Sequence, residues 1–308
     1  MIVLTDDQNF ADSSVGRTHK WRSGFPELLS ENMKFLAGKL INKKVYHTTT
    51  DEFPSWNYLV AVNHAADSQF EILKHAVNEK PGLGDKIICL AGSGKNFKGY
   101  RNRSWISLQG NLHFCALLKP NQAVLNFHVG FTILSAISVI ETLDDIPGFE
   151  GKALIKWVND ILINNDKISG VLTQTQTIGE NVSSAIIGIG LNITQTPDLL
   201  PDIFNRKATS LNDHISDKTL YNLAFILNRL QFHLNKNYTL LLHGKYHYLL
   251  NIYRQKSAIL LKKIEIYSDP HEGEAKKLHE GVVAAIGENL ELILENNDQP
   301  VVRGKVVF

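Results

Sequence analysis

The sequence predicts an α/β (α+β) chain: a mixed-sheet domain followed by a small antiparallel β-barrel. Three observations carry this. From Trp56 onward, strand-like apolar runs alternate with amphipathic stretches, as in YLVAVNH followed by SQFEILKHAVN. After about Ser257 the texture changes to short alternating runs (SAILLKKIEIY, GVVAAIGENLELIL, PVVRGKVVF) separated by turn residues, the pattern of a small barrel. Finally, 308 residues are long for one compact core and short for three domains. The expected division is an N-terminal extension over 1–56, a main domain over 57–256 and a barrel over 257–308.

Taken in order, Glu27 to Leu40 has apolar residues at roughly helical spacing, and KKVYHTTTDEFPSW reads as a short strand and turn. The first 56 residues lack a basic recognition helix and are expected to pack on the main domain without reading DNA. YLVAVNH is a strand. Ser68 to Asn78 is an amphipathic helix, with Phe70, Leu73 and Ala76 at three-residue spacing. KPGLGD is a turn, and KIICLAG a buried strand leading into a loop that runs to Asn102. NLHFCALL is the next strand. Asn126 to Leu143 is a long helix with Val129, Ile133, Ile137 and Ile140 on one side. ALIKWVNDILIN and KISGVLTQTQT form a hairpin about Asn164-Asn165-Asp166, AIIGIGLNI is one more strand, and Leu220 to Tyr253 is helical for most of its length.

Composition narrows the classes. Apolar residues make up 44% and charged residues 20%, which excludes a disordered chain, a collagen-like fibre or a coiled coil. Lys and Arg number 32 against 31 Asp and Glu, so general nucleic-acid binding gets no support and any anion must be met by a local cluster. Cys89 and Cys115 sit inside apolar runs and read as buried thiols. No window approaches 18 uninterrupted apolar residues, so no membrane span is expected. The start has no positive leader, the triplets at Asn181 and Asn192 carry no weight without one, and a cytoplasmic location is expected.

Several motifs mislead. AGSGKN resembles a phosphate loop, but a Walker A loop needs glycine at position 89 and Ser or Thr at 96; Cys89 and Asn96 stand there. Gly188-Ile189-Gly190 has Ile193 where a dinucleotide fingerprint wants glycine. His243 and His247 have metal-ligand spacing without the glutamate of a zinc-protease helix.

Three other stretches carry chemistry. Lys98, Arg101 and Arg103 put three cations within six residues around Gly99; the arrangement suits either a solvated turn or an anion clamp. Asp160 lies among apolar neighbours, where a carboxylate needs a partner or a cation, and Lys167 follows seven residues on. If the stretch is a hairpin, the two lie on paired strands and can face one side: either a structural pair, or a carboxylate for magnesium beside an ammonium for a reacting phosphate. Gly188-x-Gly190-x-Asn192 lets a flat ligand or another backbone approach a strand.

In order, RSWIS..GNL, KWVNDILI....KISGVL and IGIGLNI resemble biotin protein ligases, with ATSL at 208–211 and ADS at 66–68 fitting further family segments. The resemblance covers roughly residues 57–308, including a closing SH3-like barrel. It implies that ATP activates biotin to biotinyl-5'-adenylate, with Mg2+, and that biotin then passes to a lysine of a biotin carboxyl carrier protein or carboxylase carrier domain. It implies Lys167 as catalytic; Ser68, Lys98, Gly99, Arg101, Gly170 and Gly188 at biotin and the adenylate; and Arg103, Trp105, Asn111, Asn159, Asp160 and Asn192 at ATP, with Asp160 also at the metal. Exposed sheet edges in such folds can pair with a carrier or a second copy as a homodimer; no nucleic acid or membrane partner is expected. The loop departs from the family pattern: Phe97 and Asn102 stand for glycines, Tyr100 for an arginine, Gly94-Lys95 for Gln-Thr, Phe70 for an asparagine and Val158 for a proline. A divergent ligase is therefore expected, with a lipoate or octanoate ligase or transferase of the same fold, and a non-catalytic ligand-binding homologue, as the alternatives.

Overall fold

The computed structural model describes residues 1–99, 103–198, 207–269, 274–295 and 297–308. Ten strands form one mixed sheet. In chain order they are β1 (Ile2–Thr5), β2 (Arg22–Ser23), β3 (Tyr46–Thr49), β4 (Tyr58–Ala65), β5 (Ile87–Gly94), β6 (Leu112–Leu118), β7 (Ala153–Lys156), β8 (Asp160–Ile163), β9 (Asp166–Ile178) and β10 (Asn181–Leu191). Their spatial order is β2-β3-β1-β4-β5-β6-β10-β9-β8-β7. Only β1–β4 and β4–β5 run parallel among these pairs.

Residues 1–56 are built into this sheet. The opening IVLT, unassigned from sequence, is a strand that pairs with β4 in register Ile2↔Tyr58 to Thr5↔Ala61. Asp7 then caps α1 (Gln8–Val15) by accepting from the Phe10 N–H at 3.0 Å. The helix expected from Glu27 starts later, as α2 (Glu31–Leu40), because Ser30 accepts from the Met33 N–H and sets the N-cap.

The central strands read as continuous apolar runs because both sheet faces are covered. Ile88, Leu90 and Phe114 join the larger core cluster, while Ile87, Cys89, Ala91 and Cys115 join the smaller one. Along with α2, α3 (Gln69–Glu79) supplies the smaller cluster's helical cover through Phe70, Leu73, Ala76 and Val77. The opposite face carries α4 (Phe127–Asp144), α5 (Leu223–Leu242) and α6 (Tyr246–Gln255). By length and composition α4 could cross a membrane, yet 67% of it is buried within this protein, as befits a core helix. The helical stretch expected over 220–253 breaks at Gly244, at φ +71°; His243 ends one helix and His247 lies in the next, so their spacing is not that of one helix face.

The stretch ALIKWVNDILIN is two strands, not one. The chain turns at 157–159, so that Lys156 faces Asp160 across the β7–β8 pair. Distant partners hold this turn: Trp157 Nε1 donates to the Leu290 carbonyl at 2.6 Å, and Tyr253 Oη donates to the Val158 carbonyl at 2.8 Å. The expected β8–β9 hairpin is present, and Asn164 and Asn165 both take positive φ, 50° and 68°. After α6, β11 (Lys263–Tyr267), β12 (Lys277–Ile286), β13 (Leu292–Leu294) and β14 (Lys305–Val307) form a second sheet in the order β13-β12-β11-β14, consistent with the SH3-like barrel expected there.

Candidate functional site

A row of strand partners crosses the sheet on the face that carries α3. His113 on β6 pairs with Gly190 on β10, Gly190 with Gly170 on β9, and Gly170 with Asp160 on β8. Three strand spacings separate the outer residues, about 14 Å. The two inner positions are glycines, so the row forms a trough with a bare backbone floor. A Cβ at Gly190 would collide with the Trp105 indole, and one at Gly170 would come within 3.4 Å of it. Next to this row, Gly188 lies opposite Cys115, with the Phe70 ring 3.1 Å from where its Cβ would be.

A β-bulge puts Lys167 at the end of the trough. Strand alternation from Gly170 would turn Ile168 toward the trough and Lys167 away. The β8–β9 register shifts between Ile161 and Leu162, leaving Ile168 as the extra residue; Ile168 goes into the core. Lys167 Nζ instead meets Asp160 Oδ1 at 2.6 Å, with the two side chains 28% and 20% exposed. The same ammonium sits 5.6 Å from the centre of the Trp105 ring. Burial pushes the Asp160 carboxyl up, but the charge and hydrogen bond of Lys167, with Lys156 and Arg103 further out, outweigh it and hold the group below its ordinary value.

Above the trough, the β5–β6 connection folds back on itself. The Gly99 N–H donates to the Arg103 carbonyl at 2.6 Å and the Trp105 N–H to the Phe97 carbonyl at 2.9 Å. These bonds aim Lys98, Arg103 and Trp105 into a cavity of about 670 Å3. Ser68, Gly99, Asn159, Asp160, Lys167, Gly170, Gly188 and Asn192 line the same cavity. Eleven of the thirteen residues singled out from sequence therefore converge there: these eight with Lys98, Arg103 and Trp105. Arg101, with Tyr100, lies outside the described residues.

The structure moves Asn111 from contact to support. It is fully buried and absent from the cavity lining. Its Oδ1 accepts the N–H groups of Ile193, Thr194 and Gln195, each at 3.0 Å, and its Nδ2 donates to the Gln195 carbonyl at 2.8 Å. One amide thus organises the turn after β10 and holds Asn192, whose own Nδ2 donates to the Thr209 carbonyl at 3.0 Å. Asn159 likewise donates through Nδ2 to the Val171 carbonyl at 2.6 Å while lining the cavity.

Sequence reasoning missed Gln69, Phe70, Phe97, His113, Cys115 and Lys305, all in the lining. From sequence alone Phe70 reads only as a helix-face residue and a departure from a motif, and Phe97 only as a lost glycine. Lys305 comes from β14 of the second sheet and adds a fourth cation to Lys98, Arg103 and Lys167. Asp160 is the only carboxylate among the described lining residues. Such a cavity attracts a polyanion, and it places one ammonium beside a floor flat enough for a planar group.

Comparison with known proteins finds similarity over part of the chain in sequence and over most of it in fold. Residues 85–192 match the Biotin/lipoate A/B protein ligase family. A 121-residue stretch is 36% identical to the bifunctional ligase/repressor BirA of Bacillus subtilis, covering 39% of this chain and 37% of that protein. A 123-residue stretch is 29% identical to the biotin–[acetyl-CoA-carboxylase] ligase of Paracoccus denitrificans, covering 40% of this chain and 51% of that one. These matches thus span between about a third and a half of the curated relatives' length. In fold, the chain is similar to the biotin protein ligase from Aquifex aeolicus in complex with biotin and ATP, with a TM-score of 0.62 at 21% identity over 80% of this chain and 97% of that one.

Proposed function

With residues 85–192 a Biotin/lipoate A/B protein ligase domain, we propose that this chain is a biotin protein ligase, joining biotin to ATP and passing it to a lysine on a carboxylase carrier domain. The observation that carries the reading is the Lys167–Asp160 pair at the end of a glycine-floored trough ringed by cations.

Two anions must meet in the first step, biotin's carboxylate and the α-phosphate of ATP. Lys98, Arg103, Lys167 and Lys305 offset that repulsion where ordinary solvent screening is reduced. Lys167 shifts from Asp160 toward the reacting oxygens as negative charge arrives. A carboxylate oxygen bonds to the α-phosphorus while the bond to the bridging oxygen of pyrophosphate breaks, giving biotinyl-5'-adenylate. In the second step the carrier amine bonds to the acyl carbon, AMP leaves, and the amine proton goes to solvent. Phe97, Lys98, Arg103 and Trp105, which line the cavity, shield the anhydride from water between the two steps. Trp105 offers a face for stacking and Asn192 an amide near the phosphates.

No group of three potential metal ligands occurs among the described residues, and a single cavity carboxylate suits magnesium held mainly by nucleotide phosphates. Asp160 and Asn159 would be its protein side, and the ion would neutralise phosphate charge. Residues 1–56 enter this reading as an extension of the central sheet, with β1 paired to β3 and β4. Use of ATP fits a cytoplasmic site of action.

The test is pyrophosphate release with ATP and magnesium, with biotin, lipoate and octanoate in parallel. Biotin-dependent release, lost in Lys167→Ala with the fold intact, is the expected result. Release with another acid alone would transfer the mechanism to that substrate. Unchanged biotinylation by Lys167→Ala would remove the assignment.

A further inference from the structure

A second cleft lies within residues 1–56, which the reaction proposed above does not use. β2 pairs with β3 over two residues, as far back as Arg22↔His47. Before that pair the chains separate: a side chain takes over from the ladder, the Thr48 hydroxyl donating to the Lys20 carbonyl at 3.1 Å. The segments 17–22 and 47–51 thereby enclose a cleft of about 820 Å3. β3 stands four strand spacings from β6, about 19 Å, and the cleft shares no lining residue with the trough. The lining is basic: Arg17, Lys20 and Arg22 are exposed at its rim, with His19 and His47, against Asp51 as the one carboxylate among the described lining residues. Asp51 is 92% exposed and meets Arg17 at 3.5 Å, a pairing too weak in water to keep Arg17 from a better partner. Neither Lys20 nor Arg22 is in an ion pair among the described residues.

The wall of this cleft holds an orphaned polar atom. The His19 side chain is only 7% exposed. Asp12 Oδ1 accepts the His19 backbone N–H at 3.1 Å and the Trp21 Nε1–H at 3.2 Å, and it lies 2.9 Å from His19 Nδ1, so Nδ1 turns its hydrogen toward Asp12. Trp21 meets the His19 ring edge-on at 5.9 Å between centres and holds its plane. Nε2, on the opposite edge of the ring, is buried without a partner. Asp12 is not among the lining residues, which puts the Nε2 edge toward the cleft. Buried polar nitrogens are seldom left this way, because the bond lost to water is not replaced. Depending on the charge of the ring, Nε2 offers a lone pair or an N–H. A phosphate group answers both, donating its O–H to the lone pair or accepting from the N–H. A metal ion would answer only the lone pair, three cations repel it, and no group of three potential metal ligands occurs among the described residues.

We propose that this cleft binds a small phosphorylated molecule, with His19 Nε2, Lys20 and Arg22 on its phosphate group. Arg22 supplies a guanidinium fork and Lys20 a second cation, while Arg17 exchanges Asp51 for the ligand. The rim side chains are long and exposed, so they part to admit a phosphate oxygen to Nε2 and close over it. The site is separate from the adenylation chemistry and stands whether or not the ligase reading does.

The experiment is calorimetry on the full chain at low salt, with inorganic phosphate as the probe and a short single-stranded RNA in parallel. Wild type is compared with His19→Gln, with Lys20→Gln and Arg22→Gln combined, and with Lys167→Ala. The affinity for phosphate is expected to fall about fivefold or more in His19→Gln and about tenfold or more in the double variant. The double variant should keep the wild-type melting temperature, since neither side chain is in an ion pair, and Lys167→Ala should keep the affinity within about twofold. Loss in Lys167→Ala with no change in the double variant would put the phosphate in the trough and overturn the inference. Loss in the double variant with full affinity in a folded His19→Gln would reduce the cleft to a surface charge patch and overturn it too. No heat from phosphate up to about 10 mM, or binding of RNA in its place, has the same consequence. If His19→Gln does not fold, the double variant decides by itself.

Discussion

Two charge clusters in this protein have nearly the same bond lengths and opposite purposes. Between α4 and α5, Asp145 Oδ2 accepts from Arg229 Nε at 2.5 Å and lies 2.6 Å from His233 Nε2. One turn earlier, Glu141 accepts from Lys236 Nζ at 2.6 Å and from Asn237 Nδ2 at 2.7 Å. In the trough, Asp160 meets Lys167 at 2.6 Å. In the helical cluster each carboxylate holds at least two donors, and the cluster joins two helices of the core. The trough pair instead ends a floor of glycines and opens on a cavity with three further cations. A fully committed pair fixes structure, whereas a pair at the mouth of a polyanion site can exchange one partner for a ligand.

Substitutions separate the two clusters, the largest effect coming first. Lys167→Ala should lower the rate of adenylate formation by about a hundredfold to a thousandfold, measured by single-turnover pyrophosphate release, because it removes a cation aimed at developing charge. Lys236→Ala should leave that rate within about twofold. Gly190→Ala is the next most severe: its Cβ collides with the Trp105 indole, so nucleotide affinity by calorimetry should fall about tenfold or more with little change in melting temperature.

Acid should weaken the helical cluster. Burial raises the Glu141 carboxyl, but hydrogen bonds from His233, Lys236 and Asn237 outweigh it and hold the group at about 2, below its ordinary 4.5. A depressed carboxylate contributes stability that is present above its unfolded value and lost as pH falls through the folded one. The window is thus from about pH 4.5 down to about 2, and the contribution is roughly 2–3 kcal/mol after allowing for the exposure of Lys236. Glu141→Gln should lose about that much in urea titrations at pH 7 and flatten the pH dependence of stability across the window. Its activity at moderate temperature should be unchanged. The smallest effect is expected from Lys34→Ala on the surface of α2, where the exposed pair with Glu31 contributes less than about 1 kcal/mol.

Much of the site could be read from local chemistry. Asn164-Asn165 marks a tight hairpin because both residues tolerate positive φ, and this places Asp160 and Lys167 on paired strands. Whether they face one side is not legible in the sequence, since the deciding bulge at Ile168 leaves no compositional trace. The turn at 157–159 escaped notice for a related reason. It contains neither glycine nor proline, and its anchors, Leu290 and Tyr253, are far along the chain.

From Trp56 onward, most of the alternation of strands and helices and most of the trough's residues follow from patterns within a few residues of one another, because hairpins, caps and strand alternation are local. Gln69 and His113 had no such signal. One reads as the start of an amphipathic helix and the other as a strand residue among apolar neighbours. Only the packing of α3 across β6 and β10 brings them into the wall of one cavity, and only the docking of the second sheet brings in Lys305. Burial and lack of a partner depend on every element that packs around a side chain, and no stretch of sequence contains that information alone.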